Sequence, residues 1–280
     1  MTGLVAQGKS PATIKTYRLQ VTQFMKWLSD KGYTDNPQEI TMMDVAEYRN
    51  YLQGQGKLPR TVNTALASIQ VFCQWMYLEG HIDNNPAEKV KRVEQVEDPP
   101  KWLDRNERAR FIRTVEREKD MRNTVIMLIF LLSGLRASEL CNLKHDDILI
   151  SERKGEIIVR TGKGNKRRVV PIERDLRYWL GKYMTERHIG GQWLFASQRG
   201  EQLTYAGVYQ LCESIGIKAK IEGLTPHVLR HTYGHDLAVK GVPVQLIAKL
   251  MGHRKIENTM IYIAPGKDEL QAAVDNLSYT

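Results

Sequence analysis

The chain has 280 residues, 42% of them hydrophobic and 26% charged, with a net charge of +9 and a pI near 9.4. This is enough apolar material for one large core or two ordinary ones, and no run approaches the roughly 18 apolar residues of a membrane span. Cys73, Cys141 and Cys212 are scattered and never paired as C-x-x-C, which fits a reducing cytosol with no disulfide framework and no zinc ribbon.

The first third reads as helices. "SPATIKTYRLQVTQFMKWLSDKG" offers Ser10 as a cap and Pro11 in the first turn. Ile14, Tyr17, Val21, Phe24, Trp27 and Leu28 follow at helical spacing, and Gly32 ends the run. The opening "MTGLVAQGKSPATIK" lacks the apolar stretch of a secretory signal. "TMMDVAEYRNYLQGQG" repeats the plan with Thr41 as cap and Val45, Tyr48 and Leu52 on one face. "LPRTVNTALASIQVFCQWMYLEG" predicts a third helix, and "NPAEKV" a short fourth. The aromatic stripe reads as core rather than as a platform for stacked bases. The charged stretch that follows, with Pro99-Pro100, cannot continue a helix and reads as a linker over residues 91–101.

Charge divides at the same place. Residues 1–98 carry 11 basic and 11 acidic side chains, so the whole surplus lies in residues 99–280, with 30 against 21. A basic surplus confined to one domain is the footprint of a polyanion binder, although a solvated surface gives the same count.

The second part opens with "WLDRNERARFIRTV", where Asp104 and Glu107 form a capping-box pattern. An apolar helix over 123–133 and the segment "SGLRASELCNL" come next. There Arg136 and Glu139 are three apart and share a face. An arginine at such a boundary needs an anion, which is either Glu139 in a structural ion pair or an external group. "GEIIVRTG" and "KRRVVPI" predict a β-hairpin. Its tip, "TGKGNKRRVVP", holds Lys163 between two glycines, followed by Lys166, Arg167 and Arg168. Such a tip inserts into a nucleic-acid groove or stays solvated.

Helices resume at about residue 174. In "LTPHVLRHTYGHDL", Thr225 and Pro226 start a helix that places His227 and Arg230 on one face. His231 and His235 follow at four-residue spacing, so zinc has to be weighed. No H-E-x-x-H and no cysteine ligand accompany them, and packing roles fit both better. "VPVQLIAKLMGHRKIENTMIYIAPG" gives a helix started by Pro243 and ended by Gly252, with His253 in the turn beyond. Asn258 or Thr259 would cap a further helix that delivers Tyr262, whose phenol is barely ionised at neutral pH unless assisted. "KDELQAAVDNLSYT" predicts a short amphipathic helix over 267–277.

The order Arg136, Lys163, His227, Arg230, His253, Tyr262 resembles the tyrosine recombinases, the phage integrase family, and the likeness spans essentially the whole chain. "GLRASEL" resembles the first arginine box, and "TGKGNKRRVVP" the lysine hairpin. "LTPHVLRHTYGHDLAVKGVPVQLIAKLMGH" with "TMIY" resembles the second box through to the nucleophile. The resemblance implies a mainly α fold: a SAM-like core-binding bundle over 1–90, a linker over 91–101, and an α+β catalytic domain over 102–280 with a small β-hairpin. The plan is closest to Xer-type members. Little chain precedes the first helix, so no arm-site-binding domain is expected.

The implied activity is site-specific recombination through a covalent 3′-phosphotyrosyl link, for integration, excision or cointegrate resolution. Tyr262 would be the nucleophile, and Arg136 and Arg230 the clamps on the scissile phosphate. Lys163 would be the acid for the 5′-oxygen, His227 the base, and His253 a phosphate ligand, with Glu139 in support. Lys166, Arg167 and Arg168 would contact DNA. Neither metal nor other cofactor is implied. The expected partners are a double-stranded DNA site and three further copies of the chain in a synapse, the 267–277 helix docking on a neighbour. The expected location is the cytoplasm, at the nucleoid. A relaxing strand transferase, a DNA-binding regulator and a zinc hydrolase built on His227, His231 and His235 are the competing readings.

Overall fold

A computed structural model describes residues 11–95, 100–160, 167–186, 191–197, 200–253 and 255–262. The chain forms two compact units, Met1–Asp98 and Pro99–Thr280. Among the described residues no helix is long and apolar enough to cross a membrane.

The first unit contains α1 (Pro11–Asp30), α2 (Met42–Gly54) and α3 (Pro59–Leu78). Thr41 and Asp44 exchange hydrogen bonds across the first turn of α2, satisfying N–H groups that no helical carbonyl can reach. Both α1 and α2 pack on α3 around Phe24, Leu28, Val45, Tyr48, Leu66 and Ile69. Phe24, Trp27 and Tyr48 meet with ring centroids 5.0 to 6.4 Å apart, so these aromatics are core. "NPAEKV" is a turn and not the expected helix. Six residues cannot repay the cost of helix nucleation without a packed face.

Part of the expected linker is held on the first unit. Asn63 Nδ2 donates to the Val93 carbonyl at 2.9 Å, and Asn63 Oδ1 accepts from the Val93 N–H at 2.9 Å. Arg49 donates to the Lys91 carbonyl.

The second unit is built round α5 (Met121–Ser133), whose residues 124–131 are all buried. Such a helix cannot be amphipathic and needs neighbours on every side. Before it comes α4 (Arg105–Glu116), closed by the capping box of Asp104 and Glu107. After it come α6 (Ala137–Cys141), α7 (Arg174–Glu186), α8 (Tyr205–Ala219), α9 (Pro226–Val239), α10 (Val244–Met251) and α11 (Glu257–Met260). The helices α4, α7 and α9 pack directly on α5.

Among the described residues the sheet has three antiparallel strands where the sequence predicts two. They are β1 (Ile148–Ile150), β2 (Gly155–Arg160) and β3 (Arg167–Pro171), in the order β1-β2-β3. The register pairs Ile157 with Val170, and both side chains enter the core.

Asn63→Ala removes both partners of the Val93 backbone. It should lower the stability of the first unit by about 1–3 kcal/mol and speed tryptic cleavage after Lys91 and Arg92. Unchanged cleavage kinetics would show that these bonds do not hold the segment.

Candidate active site

The site forms where helix ends meet. Thr225 caps α9 by accepting from the Val228 N–H, and Pro226 occupies the first turn. This phase directs Arg230 inward, 4% exposed. Its guanidinium donates to the Gly134 carbonyl and, at 2.6 Å, to the Met251 carbonyl. Gly134 ends α5 and Met251 ends α10, so both acceptors are carbonyls that their own helices leave unpaired. Burial, then the nearby charge of Arg136, lowers the Arg230 pKa to about 10, with Glu139 and Tyr262 acting against that fall. The group is still cationic at neutral pH.

Arg136 stands at the N-cap of α6. It donates through Nη1 to Glu139 Oε1 at 2.9 Å and through Nη2 to the Gly252 carbonyl at 3.0 Å, while its backbone N–H reaches Glu139 Oε2. A guanidinium has five N–H donors. These contacts, like those of Arg230, use two of them and leave others for an anion. Burial alone would raise the Glu139 pKa, but hydrogen bonds and charge from Arg168 and Arg136 outweigh it and hold the carboxyl at about 2.

Tyr262 follows α11 and is 5% exposed. Its ring lies over Gly234, where a Cβ would sit 2.9 Å from Cε2 and Cζ. Its hydroxyl shares a 2.8 Å hydrogen bond with His231 Nδ1. The His253 ring stacks beside it at a centroid distance of 6.3 Å, and His253 Nδ1 pairs with the buried Thr259 hydroxyl at 2.8 Å. Burial raises the Tyr262 pKa, and Arg230 and Arg136 pull it back. Burial and neighbouring charges lower both His231 and His253 to about 4, so both rings are neutral at pH 7.

Four of the residues singled out in sequence therefore share one location: Arg136, Arg230, His253 and Tyr262, with Glu139 beneath them. Lys163, Lys166 and the 267–277 segment lie outside the described residues. His227 is exposed in the first turn of α9, and Arg167 is exposed on β3. Arg168, expected on the DNA-facing surface, points inward onto Glu139. A basic run does not reveal which of its members finds a buried partner. Thr259 is not a cap but lies within α11, bonded to His253. The sequence assigns His231 to packing, but in the structure it meets Tyr262. No local signal separates it from a packing residue, because its partner Tyr262 is 31 positions away. The zinc alternative loses its ligands, since His231 meets Tyr262 and His235 stacks on Trp102 at 4.4 Å. Among the described residues no three His, Cys, Asp or Glu side chains converge on a metal position.

The sequence pattern of the Phage integrase family matches residues 101–269, and that of the Phage integrase N-terminal SAM-like domain matches residues 2–79. The chain belongs to the phage integrase family. Tyrosine recombinase XerA of Thermococcus kodakarensis is 30% identical over 290 residues, covering 97% of this chain and 91% of the relative. Tyrosine recombinase XerD of Oceanobacillus iheyensis is 26% identical, covering 95% and 92%. In fold, the chain is similar to the XerH site-specific recombinase solved in a post-cleavage complex with palindromic difH substrate. That match has a TM-score of 0.81 and 22% identity, covering 96% of this chain and 81% of that one. The protein is thus an enzyme of the tyrosine recombinases, which exchange DNA strands at specific sites through a phosphotyrosyl link.

The shifted groups set two acid windows. His231 and His253 are held below their ordinary value, so the stability they confer is complete above pH 6.5 and is lost as pH falls to about 4. Glu139 is held below 4.5, and its share is lost between pH 4.5 and 2. Unfolding measured against pH should show a loss of about 3 kcal/mol in the lower window that Glu139→Gln abolishes. Assigned His231 or His253 imidazole resonances titrating near 6.5 would contradict their burial.

Proposed function

We propose that residues 102–280 are the catalytic domain and that Tyr262 attacks a DNA phosphate held by Arg136 and Arg230. The observation that carries this reading is the convergence of two fixed guanidiniums beside one buried phenol. Charge on the non-bridging oxygens grows in the transition state, and preoriented planar donors stabilise it without reorganising. The bond from the Tyr262 oxygen to phosphorus forms as the bond to the 5′-oxygen breaks. His227 takes the phenol proton once the hydroxyl has left His231, and Lys163 protonates the departing 5′-oxygen. His253 hydrogen-bonds the phosphate. Arg136, Arg230 and Lys163 supply the positive field that metal ions give other phosphoryl transferases. Phosphotyrosine retains the energy of the broken ester, so rejoining needs no nucleotide.

Residues 1–90 act as the core-binding domain, joined through 91–101, and the partner is a double-stranded recombination site. The XerH complex with difH substrate and the Tn1549 integrase complexes with circular intermediate DNA support that reading, as does the basic surplus of residues 99–280. Four copies assemble on two sites, with the 267–277 segment docking on a neighbour. The place of action is the cytoplasm, at the nucleoid.

Tyr262→Phe should bind its site yet form no covalent adduct on a nicked suicide duplex, and adduct at wild-type level would place the nucleophile elsewhere. Arg230→Ala or Arg136→Ala should slow adduct formation on the order of 10²–10³-fold. Removing residues 267–280 should spare single-site binding and reduce synapsis in a two-site mobility assay. Equal synapsis would remove the docking role.

A further inference from the structure

We propose that Arg168 is a positioning residue: it shares the Glu139 carboxylate with Arg136, so that Arg136 presents a net positive charge to the phosphate. The inference deepens the proposed function and rests on its assignment of Arg136. Arg168 lies on β3, and its side chain is 13% exposed. Nη1 and Nη2 donate to Glu139 Oε1 and Oε2 at 2.7 and 2.8 Å, and Nε donates to the Leu250 carbonyl at 3.2 Å. This two-pronged contact is tighter than that of Arg136, which reaches the same carboxylate through one nitrogen of its guanidinium. The backbone makes room for it. A Cβ on Gly252 would lie 2.8 Å from Arg168 Nη1, and Gly252 has φ +66°, so the position needs glycine on both counts.

The charges decide what the contact does. Arg136, Arg168 and Glu139 together carry +1. Without Arg168, Arg136 and Glu139 sum to zero, and the Arg136 fork turns wholly to the carboxylate. Arg168 also ties β3 to the end of α10. The connection from β2 to β3, residues 161–166, contains Lys163, so the strand that leads out of it is anchored at the arginine site.

The test compares Arg168→Gln, Arg168→Lys and Arg168→Gln/Glu139→Gln in the full chain, with affinity for a DNA site and the rate of adduct formation measured separately. Arg168→Gln should keep its affinity and lose adduct rate on the order of 10- to 100-fold. The double variant, in which Arg136 again stands uncompensated, should regain much of that loss. Arg168→Gln alone should also cleave relatively faster as pH falls. Glu139, still facing Arg136 and with Arg230 and His253 beyond it, protonates more readily without Arg168, and this pH dependence should vanish in the double variant. If Arg168→Gln does not fold, Arg168→Lys, which keeps the charge but not the fork, and the double variant carry the same comparison. A loss of affinity matching the loss of rate, with no recovery in the double variant, would overturn the proposal and return Arg168 to a DNA-contact role. Wild-type adduct on Tyr262 checks the underlying reading independently.

Discussion

Three successive carbonyls at the end of α10 each hold a different arginine: Leu250 takes Arg168, Met251 takes Arg230 and Gly252 takes Arg136. A helix leaves its last carbonyls unpaired and carries partial negative charge there, and buried carbonyls must find donors. Here three guanidiniums from three separate elements supply them. The folding requirement of one helix terminus thereby gathers cations that would otherwise repel. Glu139 offsets one positive charge, so the cluster keeps a net +2. The depressed pKa of Arg230 records its burial first and the neighbouring Arg136 charge second. An anion offsets the net charge, and a DNA phosphate is the anion this family acts on.

Glycine makes the geometry accessible. Gly134 and Gly252 both adopt positive φ at helix ends, turning the chain so that their own or adjacent carbonyls face the arginines. Gly234 leaves space for the Tyr262 ring. In the structure the phenol is stored rather than poised. It is nearly inaccessible and bonded to an imidazole with a pKa of about 4, far too weak a base to take its proton. Freeing the hydroxyl costs that hydrogen bond, about 1 kcal/mol net, together with the packing of the ring on Gly234 and Met251. The resting contact and the chemistry are separable.

What the sequence discloses follows the range of the forces involved. Thr41, Asp104 and Thr225 were legible as caps because a cap acts within one turn. The ends of α5 and α10 were legible because Gly134 and Gly252 interrupt apolar runs. β1 was missed because three residues, "ILI", carry no alternation to distinguish them from a loop. Arg136, Arg230, His253 and Tyr262 could be named from their order and boxes. Most of their contacts could not, because they span tens of residues. Arg168 and Glu139 are 29 positions apart, and His231 and Tyr262 are 31 apart. A basic run and a helical histidine look the same in sequence whether they face solvent or a buried partner.

In the proposed reaction the arginines act on phosphate charge. This is tested most directly with a suicide duplex whose scissile phosphate is a methylphosphonate, which lacks that charge. Comparing wild type with Arg230→Ala on both substrates, the penalty of the substitution should shrink by orders of magnitude on the neutral linkage. An equal penalty on both would contradict the claim and leave Arg230 as a structural cap for two helix ends.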